Sequence, residues 1–289
     1  MRFRQSELKS WLVDQRQWYL TYWLNPYPNG QTPVGDFPGA SELGTLVHTA
    51  MAASNLGAVP DTAVRDWLFA EGKEQVPEYV TAAADALFYA KRYTTWNEVE
   101  GNDVGTTLLG VELQLEAELA GHTIYGSLDR LDTGPHGVGV LDYKTGKQFR
   151  QLMANDFQLL TYGWMARECG YGSPTRATYA RIKTVKATKT EPQDHVHIPL
   201  SDDILDQHER HLTTSLREIE DMVTSLDQGM DPVDIRPVTS PDCFWRCDAM
   251  AACTVMSDGG YWEDVLPYPS GPSAGFNQRG STSHEDTKG

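Results

Sequence analysis

The chain has 289 residues, 40% of them hydrophobic and 10% aromatic, a globular composition with enough length for a sizeable buried core. Its 24 Lys and Arg stand against 40 Asp and Glu, a formal net charge of −16 that excludes loose binding to nucleic acid through a broad basic face. A local site where a cation and a few lysines meet phosphate is still allowed. There is no leader of charged then apolar residues and no apolar run near the ~20 residues of a bilayer span, so a cytoplasmic chain without membrane association is expected.

The stretch "SELKSWLVDQRQWYLTYW" sets Leu8, Trp11, Leu12, Gln15, Trp18, Tyr19 and Tyr22 at helical spacing, with Ser6 able to cap. "LNPYPNGQTPVGDFPG" is too rich in Pro and Gly to be anything but a loop. A second helix follows in "SELGTLVHTAMAAS", capped by Ser41 and burying Leu43, Leu46, Val47, Ala50 and Met51, and two more helical stretches fill residues 61 to 96. The period then changes to two: in "GVELQLEAELAG" Val111, Leu113, Leu115, Ala117 and Leu119 alternate with Glu112, Gln114, Glu116 and Glu118, which predicts a half-buried strand. Two further strands, "HTIYGSLDRLD" and "GVGVLDYKTG", flank the turn "TGPHG". A helix over about 152 to 168, strands near "RATYARIKTVKA" and "HVHIPL", and a long amphipathic helix from Ser201 complete the order. Helices, a meander of strands, then helix and strand again is an α/β or α+β arrangement. Residues 267–289 read as a disordered tail.

Residues two apart on a strand share a face, so Asp142 and Lys144 point one way and Leu141 and Tyr143 the other. Folding back through "TGPHG" brings Asp129 within about one residue of Asp142 in an antiparallel pair. Two carboxylates so placed repel unless a cation sits between them, and a divalent metal is the economical choice. An ammonium beside it, on Lys144, suits the negative charge that develops on an attacked phosphate. Blander readings stand beside this one. Aspartate next to glycine is ordinary turn chemistry, which accounts for Asp132. His48 alone reads as a core-edge histidine, and Glu112 either supports the site or belongs to a solvated face with Glu116 and Glu118. Gln158 and Tyr162, four apart, share a helix face and lie to the flank of the stripe formed by Phe157, Leu160 and Trp164.

Taken in order along the chain, "LGTLVHTA", "GSLDRLD", "VLDYKTG" and "QLLTY" resemble the motifs of the RecB-like branch of the PD-(D/E)xK nucleases, with its CRISPR-associated exonucleases and phage homologues. The opening helix resembles theirs as well, and the likeness covers roughly residues 5 to 255. The resemblance implies a restriction-endonuclease-like core, a mixed central sheet flanked by helices with a helical N-terminal region. It implies His48, Asp129, Asp142 and the Tyr143 carbonyl as metal ligands, Lys144 as the catalytic lysine, and Gln158 and Tyr162 as the residues that steady the site and meet the DNA backbone. Mg2+ or Mn2+ is the implied cofactor, and an imidazole ligand favours Mn2+. A single nuclease domain over residues 1–266 is expected, with a helical part to about 100, a catalytic core over about 105–200, and a C-terminal helix and cysteine segment over about 201–260.

Four cysteines in such a chain suggest free thiols or a metal site more than disulfides. "PDCFWRCDAMAACTV" holds Cys243, Cys247 and Cys253, which roughly match the three C-terminal ligands of the [4Fe–4S] cluster found in some members of the resembled family. The family's N-terminal cysteine falls where this chain has Asp14, and Cys169 does not match that position. A cluster completed by Asp14 or an external ligand, a three-cysteine zinc site, and thiols that merely pack are the three alternatives, and a hard carboxylate is a poor cluster ligand.

Phosphate contacts are expected from Lys147 and Arg150, just past the catalytic lysine, and from the local basic run with Arg181, Lys183 and Lys186. The competing reading of that run is a strand edge protected by lysines. Nothing in the chain reads base sequence, so recognition by structure or by ends is expected. Together these readings anticipate a metal-dependent deoxyribonuclease, an exonuclease on single strands or duplex ends in replication, recombination or repair, working with a helicase or recombination partner. The rivals are a silent DNA-binding or scaffold subunit and a nuclease acting on RNA.

Overall fold

The computed structural model describes residues 1–24, 38–149, 155–186, 193–239, 243, 247 and 249–266. The chain forms two compact units, one of Met1–Thr32, Glu116–Tyr125 and Glu209–Gly289, the other of Pro33–Leu115 and Gly126–His208.

In the first unit, strand β1 (Arg2–Arg4) pairs in parallel with Thr123–Tyr125, the start of strand β3 (His122–Gly134). The predicted first helix is broken into α1 (Gln5–Val13) and α2 (Gln15–Trp18), the latter continued by a π-helical turn to Trp23. The break is at Asp14, extended at φ −160°, whose carboxylate accepts the Gln17 amide at 3.0 Å and so caps the second helix. A short acceptor that satisfies the backbone locally competes with helix continuation, and here it wins. Ser6 is not the cap of α1; Arg4 holds that position and its amide donates to Glu7 Oε2. Trp11, Trp18 and Trp23 stack successively in the core, the first pair edge-on at 5.1 Å.

The second unit begins with α3 (Ala40–Asn55), α4 (Pro60–Ala70) and α5 (Pro77–Glu100), the latter two each opening on proline, whose fixed φ suits a first turn. The cap of α3 is Gly39, not Ser41, and its amide donates to Glu42 Oε2 at 2.8 Å. Strands β2 (Thr107–Leu119), β3 and β4 (Gly137–Gly146) form the expected meander, with β2 and β4 both paired to β3. Helix α6 (Phe157–Ala166) then carries the chain over to β5 (Pro174–Lys183), which pairs in parallel with β4, and β6 (Gln193–Pro199) returns antiparallel at its edge. A parallel neighbour needs such a crossover, whereas antiparallel ones need only turns. The sheet is therefore mixed. Helix α7 (Asp202–Asp227) begins in this unit and continues into the first.

Alternation along β4 and β5 sorts the chemistry. Leu141 and Tyr143 on β4, with Ala180 and Ile182 on β5, pack into a core with Leu46, Val47, Tyr79, Tyr89 and Tyr93 of α3 and α5. Asp142 and Lys144, of opposite parity, face the side covered by α6. Gly44 lets α3 close on the end of β4, since a Cβ there would lie 3.1 Å from Thr145 Oγ1, and His48 follows one helical turn later.

Candidate active site

The β3–β4 register pairs Arg130 with Leu141 and Gly134 with Gly137, so the next pair along sets Asp129 opposite Asp142. Both carboxylates are buried, at 7% and 3% exposure. Asp129 Oδ2 accepts the Tyr143 amide at 2.6 Å, while its Oδ1 lies 3.3 Å from His48 Nδ1. Glu112 completes this side: ligand atoms of His48, Glu112 and Asp129 all lie within 4.8 Å of one another, and among the described residues this is the one such group of His, Cys, Asp and Glu.

Asp142 turns the other way. Lys144 Nζ lies 2.6 Å from its Oδ2, Gln158 Nε2 donates to its Oδ1 at 2.8 Å, and Lys144 Nζ also donates to Gln158 Oε1 at 3.0 Å. The three side chains close a triangle. Tyr179, in register with Asp142 on β5, puts its ring 5.0 Å from Lys144 Nζ and donates its hydroxyl to Asp156 Oδ1, the carboxylate that caps α6. Strand β4, the crossover helix and β5 are thus tied together through side chains that set the lysine.

The electrostatics follow from burial among like charges. Burial pushes the Asp142 carboxyl up to about 6; Lys144 pulls it down and Asp129 adds to the rise. Burial also raises Glu112, reinforced by Asp129 and opposed by His48. For His48, burial is the largest influence and lowers the imidazole, but the Asp129 hydrogen bond and the charges of Asp129, Asp142 and Glu112 outweigh it and leave it raised. A pocket that holds protons this tightly has surplus negative charge, which a bound cation would replace.

Glu112 was left between two readings by the sequence, and although its side chain is exposed, its backbone is unusual. Its φ is +48°, one of two non-glycine residues in the left-handed region among those described, and it lies inside β2. Such a conformation costs about 1–3 kcal/mol and re-aims the side chain, an expense usual at sites rather than on solvated strand faces. The expected alternation of β2 holds through this residue, with Glu112, Gln114, Glu116 and Glu118 exposed between the less exposed Val111, Leu113, Leu115, Ala117 and Leu119, so at Glu112 only the backbone departs from a regular strand.

The remaining expected site residues are distributed unevenly. Gln158 sits in the triangle, but Tyr162 is 6% exposed and buried on α6, not on an open flank. That helix is apolar nearly all round, from Leu159 to Ala166, so its partner-facing surface is wide and leaves no flank at Tyr162. Lys147, Arg181 and Lys183 line one groove beyond Lys144. Lys186 is elsewhere, paired to Asp85 of α5 at 2.7 Å, and Arg150 lies outside the described residues.

In the first unit, Cys243, Cys247, Cys253 and Asp14 line a cavity of about 250 Å³. The donors do not fit a four-ligand cluster. Asp14 already uses one oxygen on the Gln17 amide and the other on the Val238 amide at 2.9 Å, and the three sulfurs form no ligand group among the described residues. Burial raises the thiols of Cys247 and Cys253.

The gene 69 protein of Mycobacterium phage D29 is 28% identical over 177 residues, 59% of this chain and 58% of that protein, so the match spans little more than half of the phage protein's length. The fold is similar to a solved structure from Eubacterium rectale described as a candidate exonuclease, over 86% of each chain, with a TM-score of 0.53 and 12% identity. The family model of the PD-(D/E)XK nuclease superfamily matches residues 3–254, nearly the whole of the described chain, and the protein belongs to that superfamily.

Proposed function

We propose that the protein is a metal-dependent deoxyribonuclease of the RecB-like branch, acting on single strands or duplex ends. The observation that carries this reading is the meeting of the His48, Glu112 and Asp129 ligand atoms beside the Asp142, Lys144 and Gln158 triangle. His48, Glu112 and Asp129 would hold a divalent ion, with Asp142 and the Tyr143 carbonyl as the further donors that the family resemblance implies. When bound, the ion supplies Lewis-acid polarisation of a phosphodiester oxygen and a more acidic water. Lys144, held by Asp142 and Gln158, places a positive charge where the attacked phosphate becomes more negative. Lys144 and a bound ion would both favour the charged form of the Asp142 carboxyl, which burial raises to about 6. Gln158 fixes both partners and has no proton to exchange.

Glu112→Gln keeps the shape of the side chain and removes its charge. Divalent-ion affinity, followed by calorimetric titration with Mn2+, is expected to fall by at least about tenfold. An unchanged affinity would return Glu112 to the solvated face of its strand.

The reading is tested with end-labelled single-stranded DNA, blunt duplex and RNA of one sequence, incubated with Mg2+ or Mn2+. Loss of label from DNA with RNA left intact is the expected result. Equal loss from RNA would widen the substrate to nucleic-acid phosphodiesters generally, and DNA that is bound yet survives every metal would mark a silent subunit.

A further inference from the structure

The catalytic row of β4 does not stop at Lys144. Paired residues of neighbouring strands share a face, and the β4–β5 register sets Asp142 beside Tyr179, Lys144 beside Arg181 and Gly146 beside Lys183. Two side-chain rows therefore run together from the buried carboxylate to a cationic end. There they open on a groove of about 510 Å³ whose lining includes Lys147, Phe149, Arg181, Lys183 and Asp194. This volume lies within the range of sites that enclose one small organic ligand.

Phe149 is the residue of this groove that the metal chemistry does not use. Its half-buried ring packs over Gly146, where an added Cβ would meet Cε1 at 3.5 Å, so the glycine leaves room for the ring beside the catalytic strand. The Arg181 guanidinium lies 5.5 Å from the ring centroid and is held by both oxygens of Asp194, at 2.8 and 2.9 Å. Asp194 pairs with Arg181, and Lys147 and Lys183 add two further cationic side chains to the lining. The wall is fixed from behind by Arg92, which donates to the backbone carbonyls of Lys183 and Val185. A fixed aromatic face between cations matches one unpaired nucleotide: the ring takes the base and the cations its flanking phosphates.

We propose that this groove is a nucleotide subsite selecting single strands, in which Phe149 stacks an unpaired base next to the phosphate held at Lys144. The inference rests on the nuclease reading for its direction along the strand. In a duplex the bases are paired and stacked on one another, so their faces cannot reach such a ring.

The test is binding without cleavage, by fluorescence anisotropy in EDTA, of a labelled oligothymidine, an abasic oligomer with the same number of phosphates, and a blunt duplex. Wild type is expected to bind oligothymidine about tenfold more tightly than the abasic strand. Phe149→Leu, which keeps an apolar contact with Gly146, should erase that difference, and Phe149→Trp should preserve it. Lys183→Ala should weaken both strands equally and reduce the salt dependence by about one phosphate contact. A merely structural role for Phe149 would change binding of both strands alike. Equal wild-type affinity for the two, discrimination that survives Phe149→Leu, or a duplex bound as tightly as the single strand would each overturn the proposal. Because EDTA removes the metal, the outcome is independent of whether the protein cleaves. Absence of metal-dependent cleavage in a separate assay would sink the nuclease reading and leave the binding result standing.

Discussion

Lys144→Ala is expected to slow phosphodiester cleavage on the order of 10³-fold while divalent-ion binding stays near that of the wild type. The two effects separate because Lys144 is bonded to Asp142 and Gln158 and is not one of the three residues, His48, Glu112 and Asp129, whose ligand atoms converge. Two losses combine in the rate. The substitution removes the positive charge facing the attacked phosphate, and it removes the ammonium that holds down a carboxyl already raised by burial. Lys144→Arg is not expected to rescue activity, since a longer planar group cannot occupy the space between Asp142 Oδ2, Gln158 Oε1 and the Tyr179 ring. Single-turnover cleavage at saturating Mn2+, beside a Mn2+ titration of the same variant, checks both halves. A rate within tenfold of wild type would remove the lysine from the chemistry.

Arg16→Ala is expected to cost about 3 kcal/mol or more of stability without removing any residue of the candidate site. Arg16 is 4% exposed and its guanidinium donates to Ile235 O at 2.6 Å, Val233 O at 2.7 Å and Ser257 Oγ at 2.8 Å. All of these groups belong to the first unit. Truncation takes the guanidinium donors from the Ile235 and Val233 carbonyls, while the Ser257 hydroxyl keeps its own bond to the Cys253 carbonyl, and a desolvated carbonyl without a partner is the expensive case. With Asp14 bonded to the Val238 amide, Arg16 ties the start of the chain to its C-terminal segment by hydrogen bonds, beside the edge-on contact of Tyr19 with Trp262. Thermal unfolding followed by circular dichroism should show a lower midpoint for Arg16→Ala and only partial recovery in Arg16→Lys, which lacks the fork. An unchanged midpoint in Arg16→Ala would show that the segment is held by other contacts.

The position of Asp129 opposite Asp142 was legible because a strand's period is two and a short turn fixes register; the hairpin closes with Gly134 against Gly137 as "TGPHG" suggests. The mixed order of helices and strands was legible for the same kind of reason, a change of hydrophobic period at residue 110. What escaped depends on tertiary competition. The kink at Glu112 has no local signature, because a glutamate in an alternating strand reads the same whether its φ is negative or +48°. Asp14 breaks a helix that the tryptophan spacing supports, and only its bonds to Gln17 and Val238 explain why. Tyr162 is buried because α6 is covered more widely than its nearest stripe suggests. Lys186 looks like its basic neighbours in sequence yet pairs with a residue about a hundred positions away, Asp85. Phe149 belongs to no periodic pattern, and its place became readable only with the register of β4 on β5.

The measurement that tests the account most directly is release of label from end-labelled single-stranded DNA by the wild type and by Asp129→Asn, each in Mn2+ and in EDTA. Asp129 is chosen because it both approaches His48 and accepts the Tyr143 amide, so the charge lost in the asparagine variant is the one that joins the candidate ligand group to strand β4. Release by the wild type in Mn2+, with none in EDTA and none by Asp129→Asn, is the result the account requires. Release that persists in EDTA, or an Asp129→Asn variant as active as the wild type, would contradict it.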